Sequence, residues 1–208
     1  MRAGGTKPSI VLIGGTTRAG STTESALRFT ARIIEELGGR AEIFAGSAID
    51  LPMFAPENPD RTPMARKIVE ALRGCDGIII ASAGYHGALS GMIKNVLDYA
   101  EDLSKDPSPY FNGRVVGLIG AARTPRDLGT VLMSLRSVVH ALRGWPTPLG
   151  VAIDAKVPAF DADGNCKSPE LANQLRLLAQ QVMEFAGKRA LLERAFTRLH
   201  DADYLAWA

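Results

Sequence analysis

Apolar residues along this chain alternate between two patterns. Ile10-Val11-Leu12-Ile13 is a continuous apolar run, which predicts a strand. Leu27, Ala31, Ile34 and Leu37 then recur at helical spacing, and Gly38-Gly39 predicts the stop. Ala41 to Ala45 reads as a second strand. Leu51-Pro52-Met53-Phe54 and the proline-rich stretch through Pro63 read as a loop. Pro63 to Leu72 is a predicted helix, stopped at Gly74. Gly77 to Ser82 is another continuous run, as expected of a strand buried on both faces. Leu89, Met92, Ile93, Val96, Leu97 and Ala100 form a helical stripe. Arg114 to Gly120 predicts a strand, Leu128 to Leu142 a helix, Thr147 to Ile153 a strand and Ser168 to Phe185 a helix.

Five strands alternating with five helices predict an α/β domain with a parallel sheet covered on both faces. Ligands in such sheets sit beyond the carboxyl ends of the strands, where the strand order reverses. Three predicted loops reach that edge: the one in the segment Gly14 to Leu27, Ala83 to Ser90, and Gly120 to Leu128. No internal repeat or low-complexity segment competes with this reading.

A length of 208 residues suits one domain, or one domain with an appendage, and 46% apolar residues suffices for its core. With 24 basic and 22 acidic residues the formal charge is +2, and no long basic run appears, so a nucleic acid partner is not expected. Cys75 and Cys166 lie far apart, without metal-type spacing, and read as reduced thiols. No secretory signal and no apolar run of about 18 residues is visible, so a cytoplasmic protein with neither membrane span nor metal is expected.

The chemistry starts at Gly14 to Leu27, GGTTRAGSTTESAL. A strand, a loop of small hydroxyl residues and a helix N-terminus make an anion pocket, because the first helical N–H groups lack partners and the helix dipole is positive there. Thr16, Thr17, Ser21, Thr22 and Thr23 add hydroxyls, and Arg18 adds a planar, permanent charge. The loop lacks the Gly-Lys-Ser/Thr of a Walker loop, and Thr16 stands where a dinucleotide fingerprint needs its second glycine. Hydroxyls with one arginine suit an isolated phosphate monoester. The same residues also fit a plain cap, since Ser21-Thr22-Thr23-Glu24 is the S-x-x-E capping box.

The second loop, Ser82-Ala83-Gly84-Tyr85-His86-Gly87-Ala88-Leu89-Ser90-Gly91, sets glycines around a tyrosine and a histidine. Glycine lets a backbone approach a flat ligand, and an aromatic on a loop can border a ring. An ordinary strand-to-helix turn with an exposed tyrosine has the same composition.

With both loops in hand, the chain resembles the NAD(P)H-dependent FMN reductase family of flavodoxin-like proteins. Gly15-Thr16-Thr17-Arg18-Ala19-Gly20-Ser21 is similar to its G-S-x-R-x-x-S phosphate loop. Tyr85 to Tyr99 is similar to its Y-x-x-x-x-P/S-G-x-x-K-N-x-x-D-aromatic stretch, and Leu51-Pro52-Met53-Phe54 to its D-L-P-x-Y/F segment. The resemblance covers about residues 8 to 187. It implies a three-layer flavodoxin-like sandwich with a five-stranded parallel sheet in the order 2-1-3-4-5.

The resemblance also implies FMN as cofactor and NADPH or NADH as hydride donor. It implies a phosphate held by Thr16, Arg18, Ser21 and Thr23, beside Thr22. It implies ring contacts from Ala83, Gly84, Tyr85, His86, Gly87 and Ser90, and from a third loop with Gly120, Ala121 and Arg123. In the family a proline usually stands where this chain has Ala83, the third loop is usually glycine-rich, and Thr23 is commonly asparagine. Hydride transfer needs the two rings face to face at about 3–3.5 Å, and the flavin carries the chemistry. Backbone N–H groups near Gly120 would stabilise charge on the reduced flavin. Arg123 or Arg126 could add charge there or meet the 2′-phosphate of NADPH, or each could be a solvated loop residue. No side chain is required as acid or base, and His86 is the one titratable candidate beside the ring.

Lys94, Asn95 and Asp98 read as structural, tying loops or making a subunit contact. Residues 1–187 read as the FMN-binding domain and 188–208 as a helical tail. Leu191, Leu192, Ala195, Phe196 and Leu199 give that tail an apolar stripe, followed by Tyr204, Leu205 and Trp207. Burial against a second subunit is expected, since the resemblance implies a homodimer or homotetramer; docking on its own domain is the alternative. The expected activity is reduction of FMN, with electrons passed to a small-molecule acceptor or reduced flavin delivered to a flavin-dependent monooxygenase. A quinone or azo reductase, a flavodoxin-type electron carrier and a flavin-binding regulator are the alternatives. Carriers tend to be strongly acidic, and a charge of +2 argues against that one.

Overall fold

The computed structural model describes residues 7–206, with side chains described up to Arg189. Six strands and five α-helices form in chain order: β1 (Ser9–Gly14), α1 (Thr22–Glu36), β2 (Arg40–Phe44), α2 (Pro63–Gly74), β3 (Gly77–Tyr85), β4 (Ala88–Leu89), α3 (Gly91–Asp98), β5 (Val115–Ala122), α4 (Pro125–Ala141), β6 (Trp145–Asp154) and α5 (Pro169–Ala206). Single 3₁₀ turns cover Gly46–Ile49 and Tyr99–Leu103. The sheet order is β2-β1-β3-β5-β6, parallel throughout. The two-residue β4 hangs from β3 as an antiparallel hairpin. With β4 set aside, this is the expected flavodoxin-like order. The chain steps from β1 outward to β2 and returns across β1 to β3, so the order reverses between β1 and β3.

Both sheet faces are dry because the middles of the central strands, Ile10 to Ile13 and Ile78 to Ala81, are apolar at every position. Ile10, Leu12 and Ile79 face α1 and α5 and pack with Leu27, Ile34, Leu178 and Val182. Val11, Ile13, Ile78 and Ile80 face α2, α3 and α4 and pack with Ile68, Leu72, Ile93 and Val139. Each fully buried side chain of this kind contributes about 1.5–3 kcal/mol. Hydroxyl side chains cap four helices where they leave the sheet edge. Ser21, Thr62, Ser90 and Thr124 accept hydrogen bonds from the backbone N–H of Glu24, Ala65, Ile93 and Asp127.

Three expectations change. The predicted loop from Ala83 to Ser90 is an extension of β3 and a tight hairpin to β4; His86 (φ 50°) and Gly87 (φ 85°) form its two-residue turn. The predicted loop from Gly120 to Leu128 shrinks to Arg123-Thr124, because β5 runs to Ala122 and α4 starts at Pro125. The last helix does not end at Phe185: it continues as one element of 38 residues to Ala206. The boundary at residue 187 thus falls inside α5. The side chains of Leu191, Leu192, Ala195, Phe196, Leu199, Tyr204, Leu205 and Trp207 lie outside the described residues.

Candidate functional site

A cleft of about 240 Å³ lies over the carboxyl edge of the sheet. Thr16, Arg18, Ser21, Thr22 and Thr23 line it from the β1–α1 loop. Ala83, Gly84 and Tyr85 line it from β3, Ala121, Ala122 and Arg123 from β5, and Ala155 from the end of β6. It therefore straddles the point where the strand order reverses, the expected ligand position for such sheets.

The cap reading of the first segment is realised, and it leaves other atoms of the loop open to the cleft. Ser21 Oγ accepts the N–H of Glu24 at 3.3 Å, and the Glu24 carboxylate accepts the N–H of Gly20 at 3.1 Å. This is a capping box reaching one residue further back than usual. Arg28 neutralises that carboxylate, with Nη2 2.8 Å from Oε1. Thr22 and Thr23 stand first and second in α1, so their N–H groups have no intrahelical acceptor. Thr16 Oγ1 accepts the N–H of Arg18 at 3.2 Å and so folds the loop over the helix end.

Charge marks the cleft more clearly than shape. Among the described arginines, the guanidinium groups of Arg18 and Arg123 alone make no hydrogen bond, ion pair or ring contact, and both residues line this cleft. No lining residue is acidic. Tyr85 is 56% exposed at the mouth. Ala83, Gly84, Ala121, Ala122 and Ala155 bring small or absent side chains, so the walls are largely backbone and can close on a flat ligand.

Four expected site residues fall elsewhere. His86 and Gly87 form the exposed hairpin turn and do not line the cleft. Ser90 caps α3, and its N–H donates to Ser82 Oγ at 2.9 Å. Gly120 lies inside β5, where a Cβ would stand 2.6 Å from Val131 Cγ1; it is a glycine so that α4 can approach the sheet. Ala122 and Ala155 line the cleft and were not expected. No local signal in the sequence marked them. Arg126 lies outside the cleft, 3.9 Å from the Asp127 carboxylate.

The family-like residues on α3 are a loop clamp. The Asn95 amide accepts the N–H of Phe54 at 2.8 Å and donates to the carbonyls of Leu51 and Pro52 at 3.2 and 2.9 Å. Tyr99 Oη donates to the Pro52 carbonyl at 2.9 Å. Arg61 lies over the rings of Phe54 and Tyr99 and pairs with Asp102 through Nε and Nη2. The Asp102 contact holds the Arg61 pKa above its ordinary value. Lys94 and Asp98 make an exposed pair one turn apart at 2.6 Å.

Among the described residues no group of three or more His, Cys, Asp or Glu is placed to hold a metal. No helix among them is long and apolar enough to cross a membrane.

Fold and cleft together define a flavodoxin-like protein with a cationic, backbone-walled site at the strand switch. Residues 8–158 match the NADPH-dependent FMN reductase family, and the chain belongs to that family. It is similar to an FMN-dependent NADPH-azoreductase of Staphylococcus aureus, 26% identical over 187 residues, covering 84% of this chain and 93% of the relative. Among solved structures it superposes on FerB, a flavoenzyme NAD(P)H:(acceptor) oxidoreductase from Paracoccus denitrificans. The TM-score is 0.67 at 20% identity, covering 88% of this chain and 99% of that one. It also superposes on an apo NADH:FMN oxidoreductase, EmoB, with a TM-score of 0.64 at 18% identity, covering 88% and 90%. These last two likenesses carry the fold.

Proposed function

We propose that this chain is an NAD(P)H-dependent FMN reductase that passes electrons to a small-molecule acceptor, a quinone or azo compound being the nearest class. The observation that carries the reading is the pair of unpartnered arginines, Arg18 and Arg123, on a cleft without acidic residues at the N-terminus of α1. Bound FMN would supply the hydride chemistry itself. The chain's residues bind and orient. Arg18, the Thr16 hydroxyl and the N–H groups of Thr22 and Thr23 suit the phosphate, with Ser21 and Thr23 packed beneath. Ala83, Gly84, Ala121 and Ala122 suit the ring with backbone, and Tyr85 borders its open side. Arg123 suits negative charge at the ring edge or on the coenzyme. His86, on the turn, has no assigned proton to move.

The test is a visible spectrum of the purified protein with added FMN, then NADH and NADPH oxidation with FMN and with a quinone. Flavin binding with coenzyme oxidation supports the reading. Flavin binding without oxidation would make the chain a carrier or sensor, and no flavin binding would refute it.

The same reading extends to assembly. The apolar positions Leu191, Leu192, Ala195, Phe196 and Leu199 follow a domain already closed by its own sheet, and we assign them to a subunit interface of a dimer or tetramer. Sedimentation of a 1–187 truncation should show a smaller assembly; an unchanged assembly at micromolar concentration removes the assignment. Delivery of reduced flavin to a monooxygenase would show as stimulation by that partner. The two free thiols suit a reducing cytoplasm.

A further inference from the structure

One acidic side chain lies behind the cationic cleft. Glu24, in the first turn of α1, does not line the cleft, and its side chain is only 10% exposed. A Cβ placed on Gly15 would stand 3.6 Å from Glu24 Cβ, so the Glu24 side chain starts against the β1–α1 loop. A carboxylate beside a site for an anion repels that anion unless its charge is offset.

The two oxygens of Glu24 have separate partners. Oε2 accepts the Gly20 N–H at 3.1 Å, and Oε1 accepts Arg28 Nε and Nη2 at 3.0 and 2.8 Å. Among the described residues, the Gly20 bond is the single hydrogen bond from residues 17–20 to α1. Gly20 turns the chain at φ 67°, two residues after Arg18. The contacts between Thr16 and Arg18 stay inside the loop. The segment that carries the Arg18 guanidinium is therefore tied to the helix by Glu24. Arg28 is 63% exposed and lines the outer side of α1, not the cleft. An exposed ion pair one turn apart adds little to folding. Here one partner is buried, and the charge it balances stands beside a ligand site.

We propose that Glu24 and Arg28 are positioning residues for that site: Glu24 sets the loop that carries Arg18, and Arg28 cancels the charge that this tether brings close to the phosphate. The proposal rests on the flavin-phosphate reading. Neither side chain touches the ligand in it. A neutral acceptor at position 24 keeps the tether without the charge, and loss of Arg28 leaves the charge without its partner. The two roles therefore separate by mutation.

The experiment is titration of the full-length apoprotein with FMN and with riboflavin, followed by flavin fluorescence. The proteins are the wild type, Glu24→Gln, Glu24→Ala, Arg28→Ala and the double variant Glu24→Gln/Arg28→Ala, each with its melting temperature measured. Arg28→Ala should weaken FMN about 5–10-fold, the order expected of one uncompensated charge near a phosphate at a protein surface. Adding Glu24→Gln to it should bring FMN back to within about threefold of wild type, a recovery that loss of a merely structural ion pair would not show. Glu24→Ala should bind FMN about 5–10-fold more weakly than Glu24→Gln, because glutamine keeps an acceptor for the Gly20 N–H. Riboflavin has no phosphate, and its affinity should move less than about threefold throughout. The proposal falls if Arg28→Ala leaves FMN affinity unchanged, if the double variant binds no better than Arg28→Ala, if Glu24→Gln is as poor as Glu24→Ala, or if riboflavin loses as much as FMN. Absent FMN binding by the wild type overturns the flavin reading and the proposal with it, whereas normal wild-type binding with unmoved variants overturns the proposal alone.

Discussion

The two edges of the sheet treat the same residue type in opposite ways. At the carboxyl edge, Arg18 and Arg123 stand without partners around the cleft. At the amino edge, Arg114 is 4% exposed and fully engaged. Its Nε donates to the Cys75 carbonyl at 3.1 Å, Nη1 to Tyr110 at 3.0 Å and Nη2 to Arg73 at 2.6 Å. Arg73 beside it pairs with Asp106 and Glu70, which hold its pKa above the ordinary value. The cause is the direction of the helices. In a parallel α/β sheet they return antiparallel to the strands, so their C-termini, with orphan carbonyls, gather at the amino edge. Cations there are consumed by the protein's own acceptors. Helix N-termini gather at the other edge and offer donors rather than acceptors, so arginines there find no backbone partner, and both they and the positive helix ends are left open to an anion. The contrast separates charge spent on the fold from charge left open to a ligand within one molecule.

The strongest way to break this contrast is to remove the consumed cation. Arg114→Ala leaves three carbonyls without their donor in a buried corner. It should cost at least about 3 kcal/mol of stability, since each of the three buried groups left unpaired costs about 1–3 kcal/mol. Urea unfolding measures it. FMN affinity of the folded protein should stay within about threefold, because the cleft lies at the opposite edge. A stable Arg114→Ala protein would show that the amino edge is not held this way.

The same edge should also reveal itself through pH. Burial pushes the Cys75 thiol from its ordinary value up to about 11, although Arg114 pulls the other way. The folded chain keeps this proton over a range where the unfolded chain releases it. The contribution is whole below the unfolded thiol pKa, near 8.5–9, and is lost as pH rises through the folded value. The loss amounts to about 3 kcal/mol. Urea midpoints at pH 8, 9.5 and 11 for wild type and Cys75→Ala give the difference. Equal pH dependence in both proteins would mean the thiol is not desolvated.

The sequence made some of this legible and concealed the rest. The central strands were readable because an unbroken apolar run has one explanation in a sheet covered on both faces. Fifteen of the residues in α1 followed from a single stripe and a cap. The β4 hairpin was hidden because its turn places His86, a non-glycine residue, at positive φ, where asparagine or glycine is the usual signal. Gly120 was misplaced because a glycine that admits a neighbouring helix looks the same in sequence as one that admits a ligand. Helix α5 ran past its predicted end because a glycine such as Gly187 costs a helix only about 1 kcal/mol. The β1–α1 side of the cleft was legible as a contiguous segment. Ala122 and Ala155 were not, since small residues far apart in sequence announce nothing until the strands bring their ends together. The Asn95 and Arg61 clamp joins residues 41 positions apart and had no local signal beyond the family-like spacing.

At the carboxyl edge the expected effects are on binding, not on folding. Arg18→Ala should weaken FMN by about 1.5–3 kcal/mol, the range for a hydrogen bond to a charged group. Stability of the apoprotein should change by less than about 0.5 kcal/mol, because no protein contact of the guanidinium is lost. Flavin titration and urea unfolding of the same preparation separate the two. A destabilised apoprotein with unchanged FMN affinity would invert the contrast and make Arg18 a structural residue.

The smallest effect should come from Tyr85, and it tests whether the mouth of the cleft belongs to the site. Its ring is 56% exposed at the end of β3, on a hairpin held by backbone pairing with β4. Removing it takes no side chain out of either core cluster, so Tyr85→Ala should shift apoprotein stability by less than about 1 kcal/mol. If the ring borders bound flavin, the loss appears instead in FMN affinity or turnover. The size is about that of one aromatic contact, 0.5–1.5 kcal/mol. Tyr85→Phe keeps the ring and should restore most of it, whereas loss of a hydroxyl contact alone would leave Phe as poor as Ala. Flavin fluorescence quenching across the three proteins reads the pattern directly. Equal quenching and equal affinity in all three would move the functional boundary inward, to Ala83 and Gly84, and leave Tyr85 on the solvent side.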